Sequence, residues 1–122
     1  MSAPRIKRIY EPATPDDGQR FLVDRLWPRG ISKERAALVA WLKDLAPSTE
    51  LRRDFHDAGY TDEDWRHFQS AYFDQLDQPG PQADAELRQL RQAIAQGPVT
   101  LLFGSRNTQR NNAVALAEWL AR

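Results

Sequence analysis

The run Val99-Thr-Leu-Leu-Phe103, set between Gly97-Pro98 and Gly104, is the feature that most restricts how this chain folds. Five residues without a charge, rich in β-branched and aromatic side chains, match a strand buried on both faces, as strands are in a parallel sheet. Such a strand belongs at the centre of its sheet. The rest of the chain must then supply its neighbours and the helices that cover them.

Two further β-rich runs, Arg5–Tyr10 and Arg20–Leu26, flank a segment from Glu11 to Gln19 that holds two prolines, Asp16, Asp17 and Gly18. The segment is short for a β-α-β crossover, so the two strands are either an antiparallel pair or joined by an abbreviated connection. After Pro28 and Gly30, Ser32 is placed to cap a helix. There Leu38, Trp41, Leu42 and Leu45 recur at i, i+3, i+4 and i+7, with Pro47 as the stop. Ser48 is placed to cap a short helix with Leu51 and Phe55, before a break at Ala58-Gly59. Thr61 followed by Asp62, Glu63 and Asp64 opens a helix with Trp65, Phe68, Tyr72 and Leu76 at helical spacing. Gln78-Pro79-Gly80-Pro81 precedes another with Leu87, Leu90 and Ile94, closed by Gly97-Pro98. A last helix carries Ala113, Leu116, Ala117 and Leu120. This is a single α/β domain over residues 1–122, with a short, mostly parallel sheet flanked by helices.

Composition narrows the class. A length of 122 residues closes one core but not two. The absence of cysteine excludes disulfides, thiolate metal sites and a cysteine nucleophile, and suits a reducing, cytoplasmic location. No apolar run reaches membrane-spanning length, so no membrane partner is expected. The formal net charge of zero hides a segregation. Asp54, Asp57, Asp62, Glu63, Asp64, Asp74, Asp77, Asp84 and Glu86 stand against Arg66 alone in the middle of the chain, whereas both ends are basic. If the ends share a face, that face attracts anions. A solvated charge pattern without a partner is the plain alternative.

Ligands of open α/β sheets collect outside the carboxyl ends of the strands. Two loops qualify here. The first carries Asp24, Arg25, Trp27, Arg29, Gly30, Ser32 and Lys33; the second carries Gly104, Ser105, Arg106 and Asn107, with Arg110 and Asn111 behind. Arg25 and Arg29 are suited to bidentate contact with a phosphate or carboxylate, Gly30 to close backbone approach, and Ser32 and Lys33 to the start of a helix. Trp27 is suited to stacking on a base, or to packing in a corner of the core. Asp24 is the candidate general base, against the alternative that it merely orients Arg25. Ser105 follows a glycine after a strand, but no nucleophile-elbow motif surrounds it. His56 and His67 have no metal-motif spacing and read as surface residues, so no metal site is expected.

The blocks Leu22-Val-Asp-Arg-Leu-Trp-Pro-Arg-Gly-Ile-Ser-Lys33, Trp41-Leu-Lys-Asp-Leu-Ala-Pro-Ser-Thr-Glu-Leu51 and Gly97-Pro-Val-Thr-Leu-Leu-Phe103 together resemble the YeaO-like branch of domain-of-unknown-function family 488. The resemblance implies a small Rossmann-like α/β domain with an Asp-x-Arg element after a strand, whose counterparts here are Asp24 and Arg25. It also implies, after the last strand, an acidic residue and a histidine-asparagine-histidine cluster. This chain instead has Asn107 and Arg110-Asn111-Asn112, of which Asn111 alone fits. Amide and guanidinium groups bind ligands but do not titrate usefully near neutral pH.

Three functions remain open from the sequence. The first is binding of a phosphate-bearing ligand, nucleotide or nucleic acid, through the Asp-Arg loop. The second is a hydrolase or transferase acting on a phosphorylated or nucleotide substrate, with Asp24 and Ser105 as its catalytic groups. The third is an interaction module docking a basic partner on the acidic helices. The cofactor and the oligomeric state are both open.

Overall fold

The computed structural model describes residues 3–57 and 60–122, so the break expected at Ala58-Gly59 lies outside the described residues. Four strands, β1 (Arg5–Arg8), β2 (Gln19–Leu22), β3 (Ala40–Trp41) and β4 (Val99–Phe103), form one sheet in the order β1-β4-β2-β3, with every neighbouring pair parallel. The apolar run is central as its composition requires: all five residues of β4 are buried, with a partner strand on each side.

β1 and β2 are thus not an antiparallel hairpin. β4 lies between them, in register Ile6–Leu101 and Phe21–Leu101. The abbreviated alternative holds, and its crossover is a single 3-10 turn at Pro15–Asp17. The turn is anchored by a buried charge cluster. Asp17 accepts from Lys7 Nζ at 3.1 Å, from the Thr14 hydroxyl at 3.0 Å and from Arg20. The Arg20 Nε reaches on to the Ala36 carbonyl. Gly18 then passes under Pro98 at φ +63°, and a Cβ there would lie 2.2 Å from the Pro98 carbonyl oxygen.

The helix expected from Ser32 to Leu45 does not form. Ser32 does cap, accepting from the Arg35 amide at 3.1 Å, but the helix α1 (Lys33–Ala36) lasts one turn and ends at Ala37 in the left-handed region. The chain then runs along β2 as β3, with Val39 N donating to Arg20 O and Leu42 N to Leu22 O, both at 2.8 Å. Strand pairing wins because the four apolar residues serve two cores: Leu38 and Trp41 pack on one side of the sheet, Leu42 and Leu45 on the other. A helix would have put them all on one stripe.

The remaining helices follow the sequence signals: α2 (Thr49–Asp57), α3 (Asp62–Asp77), α4 (Pro81–Gln96) and α5 (Asn112–Leu120). Ser48 Oγ accepts from the Leu51 amide at 3.2 Å. Thr61 and Asp64 close a reciprocal capping box at α3, and the Asn111 side chain caps α5. These four helices cover one sheet face, burying Phe21, Val23, Leu101 and Phe103 against Phe68, Tyr72, Leu90 and Leu116. Tyr72 is fully buried, and its hydroxyl donates to the Leu45 carbonyl at 2.7 Å; left unmet, that group would cost about 1–3 kcal/mol. The opposite face has a thinner cover, in which Leu22 and Leu102 meet Ile9, Ile31 and Ala36 from the loops and α1. Among the described residues, no helix is long and apolar enough to cross a membrane.

Candidate functional site

The loops that leave β2 and β4 converge at the carboxyl ends of their strands, and Asp24 is the joint. Its Oδ2 accepts from the Gly104 amide at 2.8 Å and its Oδ1 from Asn112 Nδ2 at 3.0 Å. The same Asn112 amide also donates to the Val23 carbonyl at 2.7 Å. The approach is close: a Cβ at Gly104 would stand 3.1 Å from Asp24 Oδ2, so that a side chain there would press on the carboxylate. Burial pushes the Asp24 carboxyl up; the bonds from Asn112 and Gly104 and the charge of Arg52 oppose this without cancelling it.

Beside this joint opens a cleft of about 610 Å³. Phe55 and Phe68, stacked with ring centroids 4.5 Å apart, and Tyr60, edge-on to Phe55 at 4.7 Å, give it an aromatic floor. Its polar wall is largely basic. Arg25, Arg52, His56, Arg106 and Arg110 line it, with Asp24 as the lining carboxylate. Their availability differs. Arg25 is held by the Pro47 carbonyl at 3.0 Å and the Ala46 carbonyl at 3.1 Å, fastening the first loop to the segment before α2. Arg110 is tied to the Tyr60 carbonyl and to the Asp62 carboxylate, which that contact holds below its usual range. Arg106 is exposed, and Arg52 presents a buried Nε that has no hydrogen-bond partner.

The sequence-derived residues divide accordingly. Asp24, Arg25, Ser105, Arg106, Asn107, Arg110 and Asn111 are brought together around the cleft. Several are spent on building its rim: the Ser105 hydroxyl accepts from the Asn107 amide, Asn107 Oδ1 accepts from the amides of Gln109 and Arg110, and buried Asn111 caps α5. Trp27, Arg29, Gly30, Ser32 and Lys33 do not line it. Trp27 packs edge-on against Trp41 at 5.4 Å and donates to the Ile31 carbonyl at 2.7 Å; Gly30 supplies a turn at φ +76°. Asp24 does not orient Arg25, whose partners are carbonyls. Sequence reasoning missed Arg52 as part of the site, left Asn112 open between a hydrogen bond near the second loop and a solvent-facing place, and put His56 on the surface, where its side chain is exposed but lines the cleft. Arg52 and His56 carry an i, i+4 signal, one face of α2, but nothing in the chain order points that face at β4.

Ser105 and Asp24 do not form a nucleophile-base pair, since the hydrogen bonds of each go elsewhere. Among the described residues no group of three or more acidic or histidine side chains is arranged to hold a metal ion.

Residues 4–122 match the family model described as the inactive DUF488-N3 subclade. The chain belongs to that family. It is 44% identical over 114 residues to the uncharacterized protein YeaO of Escherichia coli K12, covering 93% of each chain. It is 40% identical over 116 residues to an uncharacterized protein of Mycobacterium tuberculosis H37Rv, covering 95% of this chain and 92% of the relative. No solved structure gives a significant match. The family match and the YeaO relative confirm the YeaO-like resemblance.

Proposed function

We propose that the cleft binds a phosphate-bearing ligand of nucleotide type and performs no chemistry on it. The observation that carries this reading is the wall of the cleft, where Arg52, Arg106 and His56 stand and where neither arginine is held in an ion pair among the described residues. A phosphate supplies several acceptor oxygens to such a donor set, and charge-assisted bonds of this type are the strong ones. The aromatic floor of Phe55, Phe68 and Tyr60 suits a planar ring, so that one ligand with a base at one end and a phosphate at the other would use both halves. Binding without turnover is supported by two features. Asp24 is engaged on both oxygens, and the subclade is described as inactive.

Calorimetric titration with adenosine monophosphate tests the reading, with adenosine and inorganic phosphate as partial ligands. The nucleotide is expected to bind more tightly than either part. Arg52→Ala and Arg106→Ala should each weaken it by about 1.5–3 kcal/mol, the worth of a hydrogen bond to a charged group. No heat from any of the three at low salt overturns the proposal.

A further inference from the structure

Some of the basic residues that do not line the cleft, Arg8, Arg29, Lys33 and Arg35, belong to segments that meet at Tyr10. Its hydroxyl donates to the Arg29 carbonyl at 3.0 Å, and its own carbonyl accepts from Arg35 Nη2 at 3.3 Å, so one residue clamps both ends of the segment that holds Lys33. The Arg8 guanidinium lies over the Tyr10 ring at 4.7 Å and donates to the carbonyls of Ser105 and Gly104. Arg8 and the segment 29–35, which carries Arg29, Lys33 and Arg35, are thus brought together at Tyr10. Arg29, Lys33 and Arg35 are exposed, and the nearby basic residues of the sheet, Lys7 and Arg20, are neutralised internally by Asp17. Glu11 and Glu34 share the surface, both exposed, and Glu11 also accepts from the Arg8 amide. The exposed acidic residues Asp54, Asp62, Glu63, Asp74 and Asp77 belong to α2 and α3, which cover the opposite sheet face.

We infer that the surface formed by Arg8, Arg29, Lys33 and Arg35 around Tyr10 binds the phosphodiester backbone of single-stranded nucleic acid. Clustered cations on one face of a molecule whose other face is acidic attract and orient a polyanion. The strand is single because no element on this surface, among the described residues, fits a duplex groove. The helix here, α1, has four residues, and β1 is held in the sheet rather than projecting as a two-stranded ribbon. The Arg8 guanidinium, stacked on Tyr10, offers a planar cation of the type on which unpaired bases stack. This surface shares no cation with the nucleotide cleft, although Arg8 is bonded to the carbonyls of Gly104 and Ser105 in the cleft's rim.

Fluorescence anisotropy of a labelled mixed-sequence oligodeoxynucleotide, measured across a salt series, tests it. The full chain should bind at low salt, with affinity falling as salt rises. The double variant Arg29→Glu/Lys33→Glu changes two exposed side chains that make no ion pair among the described residues. It should bind at least about tenfold more weakly, with a salt slope shallower by about 0.7 for each phosphate that is no longer neutralised. Arg52→Ala, which disables the cleft, should leave this binding unchanged. An unaltered affinity in the double variant overturns the inference, and so does equal binding of an acidic polypeptide, which would assign the surface to a protein partner.

Discussion

Asp17 and Asp24 are carboxylates at the margins of the same sheet, and their surroundings drive them in opposite directions. At Asp17 burial pushes the carboxyl up, but the Thr14 amide, Lys7, Arg20 and the Thr14 hydroxyl outweigh it and hold the group well below the usual carboxylate range. The folded state therefore gains stability from ionised Asp17 above the ordinary carboxylate pKa, and that gain is lost as pH falls toward the depressed folded value. Removing the charge leaves Lys7 and Arg20 without their shared partner, a change that costs about 3–5 kcal/mol in buried pairs. Asp17→Asn should accordingly lower the urea midpoint at neutral pH, and the difference from the parent chain should shrink as pH drops below the usual carboxylate range. A difference that stays constant with pH would show that the charge is not what holds the turn. At Asp24 the net direction is upward, and the gain runs the other way: it is present below the ordinary range and lost as pH rises through the raised value. The Asp24 position was legible in the sequence, as a carboxylate after a strand; its role was not. Its partners, Gly104 and Asn112, come from 80 and 88 residues further along the chain.

At the scale of elements, the connections between strands set the architecture. β1 and β2 lie two strands apart yet are joined by one 3-10 turn, which Gly18 lets pass beneath Pro98. Gly18→Ala would combine a disfavoured backbone conformation, worth about 1–3 kcal/mol, with a Cβ pressed into a carbonyl oxygen. Gly30→Ala meets nothing within 4 Å and bears the conformational cost alone. Urea denaturation should therefore rank Gly18→Ala well below Gly30→Ala in stability; equal losses would contradict the close approach at Pro98. Elements with a private signal were legible: the apolar run of β4, the Thr61 cap of α3, the Gly80-Pro81 start of α4. The stretch from Leu38 to Leu45 was not, because its helix-like spacing arises from residues that feed cores on opposite faces of the sheet. Periodicity reports one burial direction and is silent when there are two.

For the whole molecule, the fold turns a chain with basic ends and an acidic middle into a sheet with two different sides. α2 to α5 cover one face, and loops with a single helical turn cover the other. The contiguous block from Asp24 to Lys33 is divided by this arrangement. Asp24 and Arg25 stay at the mouth of the strands, while the chain beyond Trp27 turns under the sheet. A sequence motif read as one site is therefore two places, and the cleft is completed instead by α2, which no local signal connected to it. The central claim, that this cleft receives a nucleotide-type ligand, is tested most directly by following backbone amide resonances during titration with adenosine monophosphate. Saturable shifts are expected at Arg52, Gly104, Ser105, Arg106 and Asn107, around the cleft. Shifts absent from these residues, or confined to β1 and α1, would contradict the claim.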